Sequence, residues 1–369
     1  MKKVLVFGIT DIPGGMESVI MNYYRNIDRN EIQFDFLCNT DIVAYEDEIK
    51  SLGGTIFRIT ARSKNYKQYK EDMDNFFKEN ANKYSAIWVN LCSLANIDYL
   101  KYAKKYGIPK RIIHCHNSQN MDSFLRGILH KWNKLFIKKY ATDFWSCSGD
   151  ASRWFYSNNI IKNNKYVVIK NAIDLKKYEY NPQIRDEYRK MLNIEKKFVI
   201  GHVGRFHFQK NHTFLIKIFN EVYKKNSNTV LLLVGEGEDK EKVLNLVKSL
   251  KLQDSVIFLG ARSDVSNIMQ AMDVFVLPSV FEGLGVVLIE AQAAGLPIFA
   301  SKDVIPNEVK INKDNFEFVS LNNNETFWGN LILQTESKKI NRKINLDDLS
   351  KSGYNIIEEK DKMEHFFKY

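Results

Sequence analysis

The sequence of 369 residues is long enough for two domains of ordinary size. Its 44% hydrophobic and 27% charged residues are typical of a globular protein and exclude a disordered or fibrous chain. The net charge of +10 is concentrated in the first half, where residues 1–170 carry 26 Lys and Arg against 17 Asp and Glu. Such asymmetry indicates contact with nucleic acid or an anionic lipid surface, or else a solvated basic face.

Targeting and membrane-spanning signals are weak in this sequence. No apolar run reaches the ~20 residues of a membrane-spanning helix, and Asp273–Phe299, which comes nearest, contains Glu282 and Glu290. The apolar run near the start ends at Asp11, too early for a signal peptide. The four scattered cysteines form neither a Cys-x-x-Cys pair nor a zinc-type cluster. We therefore expect a cytoplasmic protein with structural thiols.

Short runs rich in Val, Ile and Phe alternate with segments of helical periodicity. The strand-like runs are 4–7, 33–37, 55–59, 86–90, 111–115, 144–148 and 166–169, followed by 198–203, 230–234, 256–259, 274–277 and 298–300. Alternating strands and helices predict parallel, doubly wound sheets, and two series predict an α/β protein with two Rossmann-like domains. The polar segment Asn171–Lys197 predicts the junction. Because ligands of such sheets bind beyond the carboxyl ends of the strands, we expect a site in a cleft between the domains.

The end of the chain has a different composition. After Leu321 it is rich in Asn and Lys, and only Gly353–Phe367 regains helical spacing. We predict a closing helix there.

A pair of cations follows the strand-like run 198–203. Gly204-Arg205 and Lys210-Asn211 bracket a loop that leads into an amphipathic segment. Two cations beside the N–H groups of a helix N-terminus suit a diphosphate. The alternative is two solvated cations at a strand end.

Two carboxylates follow the run 274–277. Glu282 precedes Gly283, Leu284 and Gly285, and the two glycines let backbone N–H groups approach a ligand. Glu290 stands among Val, Leu, Ile and Ala, where a carboxylate costs free energy unless it is paired. We expect Glu290 to point into a polar site, with a buried structural salt bridge as the alternative.

Together these motifs resemble the family 4 retaining glycosyltransferases, which have the GT-B fold. Further segments similar to that family are Gly14-Gly15-x-Glu17, Asn171-Ala172-Ile173-Asp174, Val234-Gly235-Glu236-Gly237 and Gly295-Leu296-Pro297. Asn22-Tyr23-Tyr24-Arg25 and His116-Asn117-Ser118 are most similar to the bacterial capsular and exopolysaccharide branch. The resemblance covers about residues 1–320 and the last helix.

The resemblance implies an acceptor-binding domain over residues 1–172, with a helix at 353–369 packing back on it, and a nucleotide-sugar-binding domain over 173–352. It implies metal-independent transfer with retention, from a nucleotide diphosphate sugar, most commonly a UDP-sugar, to a hydroxyl of a lipid-linked glycan. No cofactor is implied besides the nucleotide-sugar co-substrate.

Site roles also follow from the resemblance. Arg205 and Lys210 would neutralise the diphosphate, and Glu290 would accept hydrogen bonds from the ribose hydroxyls. Glu282 would hold the donor sugar. The other implied substrate contacts are the backbone of Gly283, Leu284 and Gly285, the loop Gly14-Gly15, and His116, which would meet the sugar across the cleft. A structural histidine at the strand end is the alternative for His116, and His114 is a rival on the same strand face.

Two positions depart from the family pattern. Asn211 stands where the family usually has Gly, and because Asn tolerates a left-handed backbone we expect the loop to persist. Ala172 also replaces a usual Gly and resists positive φ, so we expect the turn at the junction to differ.

The basic segment 101–140 has ten Lys and Arg against Asp122 alone. Within it, Phe124–Lys139 mixes apolar and cationic residues as an interfacial helix does, with Trp132 and Phe136 entering the lipid. A domain helix with a solvated basic side is the alternative. Nucleic acid is disfavoured because no binding-module signature is present. We expect peripheral contact with the anionic inner face of the cell membrane.

Three other functions are weighed against this one. Asp72-Met73-Asp74 has the spacing of a metal-binding Asp-x-Asp motif, but it lies within a helical pattern, so we expect no metal. A nicotinamide dehydrogenase is disfavoured because no Gly-x-Gly-x-x-Gly follows the first strand. A non-catalytic accessory subunit of a partner transferase would lose the charged site residues, which are present here.

Overall fold

The computed structural model describes residues 1–117, 124–163, 165–336, 338, 342 and 344–369. Ser118 and Asp122, which the sequence patterns above include, lie outside these residues. The chain forms two compact units, Met1–Ala172 with Ile356–Tyr369, and Ile173–Asn355.

A parallel sheet forms the centre of the first unit. In the described residues it has seven strands in the order β3-β2-β1-β4-β5-β6-β7. The strands are β1 (Lys2–Phe7), β2 (Ile32–Cys38), β3 (Ile56–Arg58), β4 (Ala86–Leu91), β5 (Lys110–Cys115), β6 (Asp143–Ser146) and β7 (Val167–Val168). Its helices are α1 (Gly15–Asn26), α2 (Glu46–Ser51), α3 (Tyr66–Asn80), α4 (Asp98–Lys105), α5 (Phe124–Phe136), α6 (Gly149–Phe155) and α7 (Asn158–Lys162). The central strands are apolar on both sides because helices cover both faces of the sheet.

The second unit repeats this plan with six strands in its described part, in the order β10-β9-β8-β11-β12-β13. The strands are β8 (Phe198–Val203), β9 (Thr229–Val234), β10 (Val256–Gly260), β11 (Val274–Leu277), β12 (Ile298–Ser301) and β13 (Phe316–Val319). The helices are α8 (Leu175–Tyr178), α9 (Pro182–Met191), α10 (His212–Lys225), α11 (Lys240–Ser249), α12 (Val265–Ala271), α13 (Val286–Ala293), α14 (Glu325–Glu336) and α15 (Asp347–Lys351). In both sheets the strand order reverses beside the first strand, between β1 and β4 in one and between β8 and β11 in the other. In such sheets, ligands bind at this reversal.

The closing helix, α16 (Ile356–Lys368), begins three residues after the predicted Gly353 and packs on the first unit. The ring of Phe367 lies 5.9 Å from that of Phe34, and Lys110 Nζ donates to the Phe366 carbonyl at 2.6 Å. Glu364 Oε1 accepts the backbone N–H of Asp28 at 2.8 Å.

The junction falls at the start of the polar segment 171–197. The second unit begins at Ile173, and α8 and α9 pack against α12. Arg185 and Arg189 both bind the carboxylate of Asp273. The polarity of this segment therefore reflects charged contacts within the second unit.

At the junction itself, Ala172 is buried and its N–H donates to the Lys170 carbonyl at 2.8 Å. It is not among the residues with positive φ.

The strand β13 and the helix α14 of the second unit were absent from the sequence prediction. The edge strand β13 contains the exposed Glu317, which interrupts its apolar residues. The helix α14 buries only a narrow stripe that includes Trp328 and Ile332. No helix in the described residues combines the length and apolar character required to cross a membrane. No disulfide joins any of the four cysteines, all of which lie in the described residues.

Candidate functional site

Two loops meet at the carboxyl edge of the second sheet, after β8 and β9. Gly235 and Gly237 have φ of 138° and 155°, which L side chains rarely adopt. A Cβ on Gly235 would lie 2.1 Å from the Gly204 carbonyl oxygen, and one on Gly237 would lie 2.4 Å from that of Phe206. Glycine is required because the two backbones touch. The segment that carries Arg205 is therefore held by its neighbour.

Lys210 and Glu282 form a largely buried ion pair between the β8 and β11 loops. Lys210 Nζ lies 2.6 Å from Glu282 Oε1, and the two side chains are 16% and 6% exposed. Ser279 Oγ donates to the same oxygen at 2.7 Å, and Gln209 Nε2 donates to the Phe281 carbonyl at 3.0 Å. A buried carboxylate needs such partners because desolvation of its charge is costly.

The backbone at Asn211 delivers Lys210 to this position. Asn211 has φ 55° and ψ 43°, which is left-handed, and it separates the 3₁₀ turn Phe208–Lys210 from α10. The loop survives the replacement of the usual glycine, as predicted.

Arg205 is separate from this ion pair. Its Nη2 lies 3.2 Å from Glu238 Oε2, and both side chains are about half exposed. His207 Nε2 lies 3.4 Å from the other oxygen of Glu238. Exposed ion pairs contribute little stability, so the guanidinium can change partners at low cost.

Glu290 lies on α13 and takes a hydrogen bond from a neutral partner. Tyr178 OH donates to Glu290 Oε1 at 2.9 Å. Burial raises the pKa of Glu290, while the Tyr178 hydrogen bond and the charges of Lys177 and Lys210 oppose that effect. No described cation lies within 4.0 Å of its carboxylate, so the alternative of a structural salt bridge is not observed.

The glycine loop leads directly into α13. Gly285 has φ 79° and stands immediately before Val286, the first residue of the helix. Gly283 and Leu284 are buried. The loop thus ends at a helix N-terminus, which carries partial positive charge.

Two buried histidines lie next to Lys210, at positions that no sequence motif marks. His202 Nδ1–H donates to the Val276 carbonyl at 2.8 Å, and His212 stacks on Phe206 at 4.1 Å. Burial lowers the pKa of His202 to about 4 and that of His212 to about 2. Both imidazoles are therefore neutral at pH 7 and add no charge next to Lys210.

In the first unit, His116 follows β5 and is held by a buried amide. His116 Nε2–H donates to Asn90 Oδ1 at 2.8 Å, and burial lowers its pKa to about 3. The rival His114 is fully buried and accepts the Trp88 indole N–H at 3.3 Å. His114 is therefore a core residue, and Asn90 is a site neighbour that the sequence did not reveal.

The loop Gly14-Gly15 opens helix α1. A Cβ on Gly14 would lie 2.8 Å from Glu17 Oε2, whereas one on Gly15 would meet no atom within 4 Å. Thr10 Oγ1 donates to Glu17 Oε1 at 2.7 Å. Glu17 therefore folds back over the start of its own helix.

Asp72 and Asp74 lie on α3 and make separate structural contacts. Asp72 accepts the Thr60 N–H at 2.8 Å, and Asp74 accepts from Lys105 at 2.6 Å and from Tyr106 at 2.7 Å. Across the described ranges, no group of three or more His, Cys, Asp and Glu side chains could hold a metal ion.

The predicted site residues therefore fall into two sets. Arg205, Lys210, Glu282, Gly283, Leu284, Gly285 and Glu290 follow β8 and β11 in the second unit. Gly14, Gly15 and His116 follow β1 and β5 in the first unit. The second-unit set lies at the reversal of strand order, where a doubly wound sheet binds its ligand.

Known proteins are similar to this chain over nearly its whole length. Residues 184–346 match the family described as glycosyl transferases group 1. EpsF of Bacillus subtilis (strain 168), named a glycosyltransferase, is 32% identical over 348 residues, which are 92% of this chain and 90% of EpsF. UDP-Gal:alpha-D-GlcNAc-diphosphoundecaprenol alpha-1,3-galactosyltransferase of Escherichia coli is 28% identical over 245 residues, 65% of this chain and 63% of that protein.

Among solved structures, Anabaena HepE in complex with UDP and glucose superimposes with a TM-score of 0.81. The sequences are 17% identical, and the match covers 99% of both chains. This likeness confirms the predicted fold of two Rossmann-like domains.

Proposed function

The chain belongs to the group 1 glycosyltransferases, and on this basis we propose that it is a retaining, metal-independent enzyme of capsule or exopolysaccharide synthesis. It transfers a sugar from a nucleotide diphosphate, most simply a UDP-sugar, to a hydroxyl of a lipid-linked glycan. The observation that carries this proposal is the buried contact of Lys210 with Glu282, made where the strand order of the second sheet reverses. The name of the Escherichia coli relative, with its UDP-galactose donor and undecaprenol-linked acceptor, supports both substrate classes.

The cations supply the charge that the leaving group needs. Lys210 and Arg205 neutralise the diphosphate as the bond between the anomeric carbon and the phosphate oxygen breaks. The N-terminus of α13 adds a partial positive charge beside the glycine loop. With two cations in these roles, we propose that no metal ion is needed.

The reaction exchanges one C–O bond for another and transfers one proton. The acceptor hydroxyl oxygen bonds to the anomeric carbon, the bond from that carbon to the phosphate breaks, and the hydroxyl proton passes to the leaving phosphate oxygen. Glu282 holds the donor sugar through its hydroxyls, and Glu290 accepts hydrogen bonds from the ribose. The N–H groups of Gly283, Leu284 and Gly285 contact the sugar or the phosphate.

His116 is the proposed substrate contact of the first unit. Because its Nε2–H is donated to Asn90, Nδ1 of the neutral ring is a buried acceptor without a partner in the described residues, and we propose that it accepts a hydrogen bond from a substrate hydroxyl. The Gly14-Gly15 loop lets the backbone approach a substrate closely.

Helix α5 supports contact with a membrane, because its apolar side chains face outward. The exposed apolar residues of the helix are Phe124, Leu125, Ile128, Leu129, Trp132, Leu135 and Phe136. Its inner face is polar: His130 is buried, and Asn133 Nδ2 donates to the Leu94 carbonyl at 2.7 Å. Arg126 and Lys131 flank the apolar stripe and are exposed. We propose that this stripe enters the surface of an anionic bilayer.

A panel of nucleotide sugars tests the transfer proposal. We expect one nucleotide diphosphate, with its sugar, to raise the melting temperature and to be hydrolysed slowly, because a ligand that binds the native state stabilises it. The variant Arg205→Ala should lose both effects. Failure of every nucleotide to bind, or normal turnover by Arg205→Ala, would contradict the proposal. Binding without any turnover, even with lipid-linked acceptors, would instead favour an accessory subunit.

A further inference from the structure

Tyr178 is the only described side chain that donates a hydrogen bond to Glu290, and no sequence motif marks it. We infer that Tyr178 is a positioning residue, whose hydroxyl aims the carboxylate of Glu290 at the two ribose hydroxyls of the donor nucleotide. The inference rests on the proposed function, and in particular on the ribose role of Glu290.

The backbone of Tyr178 is firmly anchored although α8 is short. Gln270 of α12 is buried, and its Nε2 donates to the Tyr178 carbonyl at 3.1 Å. Gln270 Oε1 in turn accepts the N–H of Asn181 at 3.1 Å. Asp174 caps the start of the helix by accepting the Lys177 N–H at 3.4 Å. These hydrogen bonds therefore fix the backbone from which the Tyr178 side chain extends.

A neutral donor suits a carboxylate that must accept hydrogen bonds from a ligand. The Tyr178 hydroxyl occupies one acceptor site on Oε1 and leaves Oε2 without a hydrogen bond from the described residues. An ion pair would compete with the ligand more strongly, because charge-assisted bonds are stronger. The charged groups that face Glu290 are Lys177 of α8 and Lys210 of the β8 loop, and neither lies within 4.0 Å of it.

The geometry also predicts which ligand group is recognised. Two neighbouring hydroxyl donors need a carboxylate held in one orientation, and a ribose offers such a pair through its 2′ and 3′ hydroxyls. A nucleotide that lacks both hydroxyls gains nothing from this orientation.

The test compares ribose recognition in Tyr178→Phe with that of the wild type. The probes are UDP, ADP and GDP, and then the 2′,3′-dideoxy form of whichever of the three the wild type binds. We expect Tyr178→Phe to raise the Kd of the ribonucleotide about tenfold, as for loss of a hydrogen bond to a charged group. The Kd of the dideoxy form should change less than about twofold. The ratio of the Kd of the dideoxy form to the Kd of the ribonucleotide is unaffected by a partly unfolded preparation, because both values come from the same sample.

Tyr188→Phe is the matched control, because its hydroxyl donates to Asp264 at 2.7 Å, away from Glu290. It should leave both Kd values unchanged. Since the Tyr178 hydroxyl favours the ionised carboxylate, Tyr178→Phe should also lose ribonucleotide binding at a higher pH on acidification, and Glu290→Gln should remove that pH dependence.

The two proposals fail in different ways. An unchanged ratio and an unchanged pH midpoint in Tyr178→Phe would overturn the positioning role alone. Absence of any nucleoside diphosphate binding by the wild type would overturn the proposed function.

Discussion

Lys210 Nζ lies 2.6 Å from Glu282 Oε1, so the cation proposed for the diphosphate and the carboxylate proposed for the sugar hold each other in place. The pair joins the loop after β8 to the loop after β11. Binding groups that are already ordered lose less conformational entropy when the ligand arrives. The ion pair thus orders the two loops that carry the proposed site.

Breaking this pair should cost stability as well as activity. We expect Lys210→Ala to lower the free energy of unfolding by about 3 kcal/mol, because it leaves Glu282 buried without its counter-ion. The double variant Lys210→Met/Glu282→Gln should recover most of that loss, since no charge is left unpaired, yet it should not transfer sugar. Urea unfolding and a transfer assay measure the two effects. Restored transfer in the double variant would contradict the assigned roles.

Substitution of Arg205 should reduce turnover strongly and change stability little. Because its ion pair with Glu238 is exposed, Arg205→Ala should change the free energy of unfolding by less than about 0.5 kcal/mol. Turnover should fall at least about 100-fold, as for loss of a group that stabilises transition-state charge. Arg262 forms a comparable surface pair with Asp264 at 2.6 Å, so Arg262→Ala is the matched control and should keep full turnover.

Vesicle binding tests the outward apolar stripe of α5. Trp132 and Leu135 are 62% and 69% exposed. The double variant Trp132→Glu/Leu135→Glu removes two anchors of about 1.5 kcal/mol each, so affinity for phosphatidylglycerol vesicles should fall about 100-fold. Phe327→Glu, at an exposed aromatic of α14, should not change it. Equal flotation of the double variant and the wild type would contradict membrane contact through α5.

Acidification should destabilise the protein through its buried histidines. Burial lowers the pKa of His202 and of His130 to about 4 in the native state. Between about pH 6.5 and pH 4 the unfolded chain therefore binds protons that the native state does not. The free energy of unfolding should fall with pH in this window, by up to about 1.4 kcal/mol per unit for each histidine.

Urea unfolding between pH 7 and pH 5 measures this slope. His202→Gln should reduce it by the equivalent of one proton, whereas His365→Gln, at an exposed position of α16, should leave it unchanged. A slope that His202→Gln does not alter would assign the pH dependence to other groups.

Much of the fold could be predicted from the sequence because buried parallel strands are short and nearly all apolar. The runs 198–203 and 274–277 coincide with β8 and β11. The edge strand β13 escaped prediction because Glu317 interrupts it, and α14 because Trp328 and Ile332 form too narrow a stripe.

The candidate site was predictable where chemistry and spacing coincide within one loop. Lys210 and Glu282 are 72 residues apart, yet each follows a strand at the reversal of the sheet, so the topology brings them together. Tyr178 and Asn90 could not be found in this way. The hydrogen bond of each joins it to a residue on another element, and nothing local in the sequence marks such a bond.

The position of α16 in the chain has a consequence for synthesis on the ribosome. Phe366 and Phe367 pack on Trp145 in the first unit, but they are translated only after the whole of residues 173–355. During elongation this aromatic surface of the first unit stays uncovered until α16 is synthesised. The second unit is contiguous in sequence and can complete its core before then. We therefore expect the second unit to complete its folding before the first, although the first is synthesised earlier.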